Sequence, residues 1–116
     1  MELIKTCKMI VDALSDRKGY NIKVIDIKEI SSIGDYIIIA DGDNKNQIQA
    51  MCDNVLDVMF ANDFELKNKE GYANGGWILL DFCDIIVHIF SREERSFYDL
   101  DHIWRDGNII DIGDNA

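Results

Sequence analysis

The chain has 116 residues, enough for one domain with a single core, and its apolar share of 47 % against 29 % charged residues excludes a disordered polymer. The formal net charge is −10, with 22 acidic against 12 basic residues. That balance argues against broad docking on nucleic acid or an anionic membrane, and it favours a basic protein partner.

Residues 2–17 predict an amphipathic helix: Leu3, Cys7, Ile10, Val11 and Leu14 recur at helical spacing, and Lys18-Gly19 supplies a stop. Ile22 to Lys28 predicts a strand. Ser31 to Asp35 is turn-rich, and Tyr36 to Ala40 reads as a buried strand broken by Asp41-Gly42-Asp43. A second helix is expected from about Asn44, with Gln47 three positions on in a capping-box arrangement and Ile48, Met51, Cys52, Val55, Met59 and Phe60 on its apolar stripe, fraying near Asn62-Asp63. Phe64 to Glu70 predicts a lysine-bearing edge strand, and Gly71 to Gly76 a glycine-rich loop. Trp77 to Phe82 and Ile85 to Phe90 predict a hairpin. Ser91 and Glu94 form a capping box for a third helix running to about Trp104. Residues 1–105 thus read as one domain and 106–116 as an acidic C-terminal tail. The order α-β-β-α-β-β-β-α indicates an α/β (α+β) fold, a mixed β-sheet packed with helices.

The hairpin carries the most information. A two-residue turn at Phe82-Cys83 would pair Asp81 with Asp84, Leu79 with Ile86 and Trp77 with His88. Alternation then gives one purely apolar face, with Ile78, Leu80, Ile85, Val87 and Ile89. The other combines Trp77, Leu79, Asp81, Asp84, Ile86, His88 and Phe90, a mixture typical of recognition surfaces. Each member has a structural explanation as well: Trp77 can cap a core, His88 can be a satisfied semi-buried histidine, Asp81 and Asp84 can hold the turn, and Arg95 and Tyr98 can be solvated helix residues. The combination of Trp, Tyr and Arg favours an interface.

Other signals fail. Asp41-Gly42-Asp43 begins like a calcium loop, but Asn46 and Cys52 occupy positions that such a loop gives to Gly and Glu. His88 and His102 lack metal-ligand spacing with any cysteine, and there is no phosphate-binding glycine motif. Acids flank Cys83, which disfavours its thiolate. The three cysteines, without a CxxC pair or a signal segment, fit reduced thiols in cytoplasm, and no apolar run is long enough for a membrane span. No metal or cofactor is expected. A rival reading from another class is an enzyme using carboxylates such as Asp26, Asp81 and Asp84 around magnesium. A third is a homodimeric module whose Trp77 face is the self-interface.

Several stretches together resemble the ribosomal silencing factor, or Iojap-like, family. They are Lys18-Gly19 with the Ile22–Ile27 strand, Ser31-Ser32-Ile33-Gly34-Asp35-Tyr36, Glu70-Gly71, Trp77 to Asp84, Val87-His88-Ile89-Phe90, and Arg95 to Asp101 running on to Trp104. The resemblance spans roughly residues 3–105 and lies in the ordered series of short motifs. Cys83 departs from it by standing where glycine is usual at the hairpin turn, and Asp43-Asn44-Lys45 replaces a helix start richer in Ser and Thr. The resemblance implies a nucleotidyltransferase-like fold without catalytic activity. It also implies binding to the large ribosomal subunit through ribosomal protein L-fourteen with little direct RNA contact, obstruction of subunit joining, and lowered translation when nutrients run short. A bacterial cytoplasmic location is expected, since no transit peptide is seen. The partner-binding residues it suggests are Trp77 and Tyr98 as aromatic anchors, Glu70, Asp81 and Asp101 facing Lys or Arg, Arg95 as an orienting group, and His88 beside them.

Overall fold

A computed structural model of the chain describes residues 2–28, 35–73, 76–92 and 108–110. Helix α1 spans Glu2–Asp16, followed by strands β1 (Tyr20–Asp26) and β2 (Tyr36–Gly42), helix α2 (Lys45–Ala61), and strands β3 (Asn68–Glu70), β4 (Trp77–Asp81), β5 (Ile85–Ser91) and β6 (Asn108–Ile110). The six strands form one mixed sheet in the order β3-β4-β5-β2-β1-β6. Only β2 and β5 run parallel, with Ile37 opposite Ile86 and Ile39 opposite His88; every other pairing is antiparallel.

Both helices lie on one face. The buried side chains of Cys7, Ile10 and Leu14 from α1, and of Ile48, Met51, Cys52, Val55 and Met59 from α2, close over Ile38, Ala40, Ile78, Leu80, Val87 and Ile89. This is the apolar face expected from alternation. Burial pushes the Cys7 and Cys52 thiols up to about 12, so both stay protonated packing groups.

Local chemistry sets the helix ends. The Asn44 side chain caps α2 by accepting from the Gln47 N–H at 2.8 Å. The Gln47 carboxamide in turn accepts from the Asp43 N–H, and it donates to the Arg17 and Lys18 carbonyls at 3.0 and 2.9 Å. One glutamine therefore ties the start of α2 to the end of α1. Both helices finish in a Schellman motif. Gly19 and Lys18 N–H donate to Leu14 and Ser15, and Phe64 and Asp63 N–H donate to Met59 and Phe60.

The structure corrects four details. The hairpin turn lies at Cys83-Asp84, so Trp77 pairs with Phe90, Leu79 with His88 and Asp81 with Ile86. This shifts the expected register by two residues and leaves every side chain on its expected face. Asp41-Gly42 continues β2 instead of breaking it, because Asp41 pairs with Tyr20 and is held by the Asn21 carboxamide at 3.3 Å. The edge strand is confined to Asn68–Glu70. Residues 108–110, read as part of a tail, form a strand in which Ile109 and Ile110 pair with Ile25 and Val24. The expected helix after Ser91 falls on residues outside those described.

Candidate recognition face

The sheet face away from α1 and α2 is a second core. Ile25, Ile27, Ile37, Ile39, Ile86 and Phe90 are buried there, with Trp77 and Leu79 packed against them half-buried. Among the described residues, this recognition-like face is therefore covered along most of its length, and its margin at β3 and β4 is the part that reaches solvent. At that margin Glu70, Gly71, Trp77 and Leu79 line a shallow depression of about 230 Å³.

Gly71 builds this margin. It follows edge strand β3 at φ 82°, in the left-handed region where glycine alone is unstrained, and its α-carbon lies against the Trp77 carbonyl with no room for a side chain. Glu70 is exposed, opposite Leu79, and its Oε2 accepts from Asn68 Nδ2 at 2.7 Å. A carboxylate thus stands beside a half-buried indole, the pairing that a basic side chain with an apolar stem would meet.

Trp77 is fixed from below. Its ring stacks on Phe90, its cross-strand partner, at 5.0 Å between centroids and 28° between planes. Its Nε1–H donates to His88 Nδ1 at 3.0 Å. His88 itself is only 7 % exposed, in keeping with the reading of it as a satisfied, largely buried histidine. Burial lowers its pKa to about 4, so the ring is neutral near pH 7. A neutral ring that accepts at Nδ1 carries its proton on Nε2.

Asp81 stands at the far end of β4, about 13 Å along the strand from Trp77. Its Oδ1 accepts from the Cys83 N–H at 2.8 Å and so holds the turn. Cys83 is exposed, at φ 79°, and the Asp84 N–H donates across it to the Phe82 carbonyl at 3.1 Å, a strained turn conformation that glycine would adopt more easily. Asp26 is paired with Lys28 at 3.4 Å, and the Asp84 carbonyl accepts from the Asp35 and Tyr36 N–H groups. Among the described residues no three His, Cys, Asp or Glu side chains come together as metal ligands would. Arg95, Tyr98 and Asp101 lie outside the described residues.

The structure thus brings together Glu70, Trp77 and His88 and holds Asp81 apart. Sequence reasoning placed Leu79 and Phe90 on this face but did not count them, or Gly71, among the partner-binding residues. The correct hairpin register would have put Phe90 under Trp77. For Gly71, the signal was a glycine directly after a charged edge strand.

Among the described residues, a mixed sheet with two helices on one face and a stacked, half-buried tryptophan at its β3–β4 margin defines an α+β domain. The chain belongs to the ribosomal silencing factor family: residues 1–116 match the family described as ribosomal silencing factor during starvation. It is 38 % identical over 104 residues to the ribosomal silencing factor of Zymomonas mobilis, covering 90 % of this chain and 78 % of that one. It is 32 % identical over 105 residues to that of Bacillus subtilis, covering 90 % and 89 %. A chloroplastic Iojap protein of Arabidopsis thaliana is 32 % identical over 98 residues, which is 84 % of this chain and 40 % of that one. The fold is similar to a crystal structure of a Chromobacterium violaceum protein, with a TM-score of 0.88, 30 % identity, and coverage of 90 % and 88 %. None of the described helices is long and apolar enough to cross a membrane.

Proposed function

We propose that this protein is a cytoplasmic translation repressor without enzymatic activity. It binds the large ribosomal subunit through ribosomal protein L-fourteen, with little direct RNA contact, and sterically blocks joining of the small subunit under nutrient limitation. Family membership supplies the ribosome as the target. The observation that carries the site is the stacked and hydrogen-bonded Trp77 beside Glu70: a pre-ordered aromatic loses little freedom on binding, and an adjoining carboxylate suits a basic partner. The net charge of −10 supports the same complementarity.

The test is co-sedimentation with isolated large subunits. Truncating a buried anchor costs at least about 2 kcal/mol, so Trp77→Ala should bind roughly thirtyfold more weakly while its unfolding remains cooperative. Wild-type co-sedimentation of a folded Trp77→Ala protein would overturn the assignment of this face.

A further inference from the structure

We infer that His88 is a positioning residue for partner binding, holding the Trp77 indole in one orientation through the Nε1–H to Nδ1 hydrogen bond. The inference rests on Trp77 being the anchor proposed above. His88 is buried, so it acts through the indole and not by touching a partner.

Among the described residues, stacking and a hydrogen bond both restrain the indole, and they do different things. Stacking on Phe90 fixes the plane of the ring. It does little to choose between the two flipped orientations of that plane, because both present a π-face of similar area. The hydrogen bond makes that choice, since Nε1 lies on one edge of the indole only. The His88 ring is in turn set nearly parallel to Phe90, 10° between planes and 6.0 Å between centroids, so the acceptor is itself held in place. Leu79 and Ile39 flank His88 in the sheet as its cross-strand partners, and burial is the cause of its low basicity, with no charged side chain among the described residues contributing. The imidazole therefore stays an acceptor at neutral pH. One consequence is chemical. With its N–H committed inward, the indole offers a partner its apolar edge and face, which suits the methylene stem or the charge of a Lys or Arg side chain better than a hydrogen-bond acceptor.

His88→Leu removes the acceptor at similar volume. His88→Asn restores one, because Oδ1 lies as many bonds from the backbone as Nδ1; Gln places its oxygen one bond further out. Affinity for isolated large ribosomal subunits should fall about two- to tenfold in His88→Leu, the range expected when one side chain must be ordered on binding, and recover in His88→Asn more than in His88→Gln. The Trp77 indole N–H resonance, assigned by its loss in Trp77→Phe, should exchange faster with solvent in His88→Leu. In the Trp77→Phe background, His88→Leu should cost no further affinity, since the bond is already gone. An unchanged affinity and indole resonance in His88→Leu, or an equal loss in the Trp77→Phe background, overturns the inference. If Trp77→Ala loses binding and His88→Leu does not, the His88 role alone fails. Full binding by Trp77→Ala overturns the anchor and the positioning role with it.

Discussion

Gly71 and Trp77 approach so closely that a β-carbon on Gly71 would overlap the Trp77 carbonyl oxygen. The contact sets the distance between edge strand β3 and the start of β4, and so the shape of the depression beside the indole. Gly71→Ala adds a collision to a residue already at φ 82°. It should destabilise the fold by about 2–3 kcal/mol, read as a lower denaturant midpoint, and should weaken ribosome binding as well. Gly71→Asn separates the two causes. Asparagine tolerates positive φ but still carries a β-carbon, so it should be nearly as damaging as alanine. A mild Asn variant would show that backbone conformation, and not close approach, makes glycine necessary.

Three residues other than glycine hold left-handed backbone at places where glycine is the usual choice. Lys18 at φ 64° and Asp63 at φ 67° close the Schellman motifs of α1 and α2, and Cys83 at φ 79° forms the hairpin turn. Such a conformation costs an L-residue about 1–2 kcal/mol, partly offset by the greater unfolded-state freedom of glycine. Lys18→Gly and Cys83→Gly should therefore each stabilise by about 0.5–1 kcal/mol. Asp63→Gly should gain less, since aspartate tolerates this region better. The three sites are separate, so the gains should add in a triple variant. Alanine at Lys18 or Cys83 supplies the control: it keeps the β-carbon and should give no gain. Equal stabilisation by Ala and Gly in urea titrations would contradict the backbone explanation.

How much of this was legible in the chain differs from element to element, for physical reasons. The helix periods, the Asn44 cap and the two faces of the hairpin follow from local spacing, and each is present. The register was misread because Phe82-Cys83 and Cys83-Asp84 are equally plausible two-residue turns. The tie is broken by Asp81 accepting from the Cys83 N–H and by Asp84 accepting from Asp35 and Tyr36, contacts no single segment reveals. The face assignment survived because a two-residue slip preserves alternation. β6 escaped notice since three residues within an acidic stretch carry almost no periodic signal, and their strand exists only by pairing with β1. Burial of the second face was partly visible: Tyr36 to Ala40 is a continuous apolar run, the pattern of a strand covered on both sides. That run implied that Ile37 and Ile39 needed cover, and His88, the partner of Ile39 in β5, shares it.

The burial of His88 also has a consequence for pH. Its folded pKa, about 4, lies below the usual 6.5, because burial disfavours the imidazolium. Below pH 6.5 the unfolded chain therefore takes up a proton at this site that the folded chain does not. The folded state is fully favoured above about pH 6.5, and stability falls as pH drops from there toward 4, where the folded ring also protonates and the loss levels off. Between pH 7 and 5 the linkage amounts to about 2 kcal/mol. Carboxylates titrate across the lower part of this window too, so the test is the difference between proteins. Urea midpoints of wild type should fall between pH 7 and 5 more steeply than those of His88→Leu, so the difference between the two should shift in favour of the leucine variant as pH falls. Protonation removes the Nδ1 lone pair that accepts from Trp77, so the wild-type indole N–H should lose its protection in the same range in which the folded ring titrates. Parallel stability curves for the two proteins would mean that His88 titrates alike in the folded and unfolded chains, and that its ring is not held neutral beneath the indole.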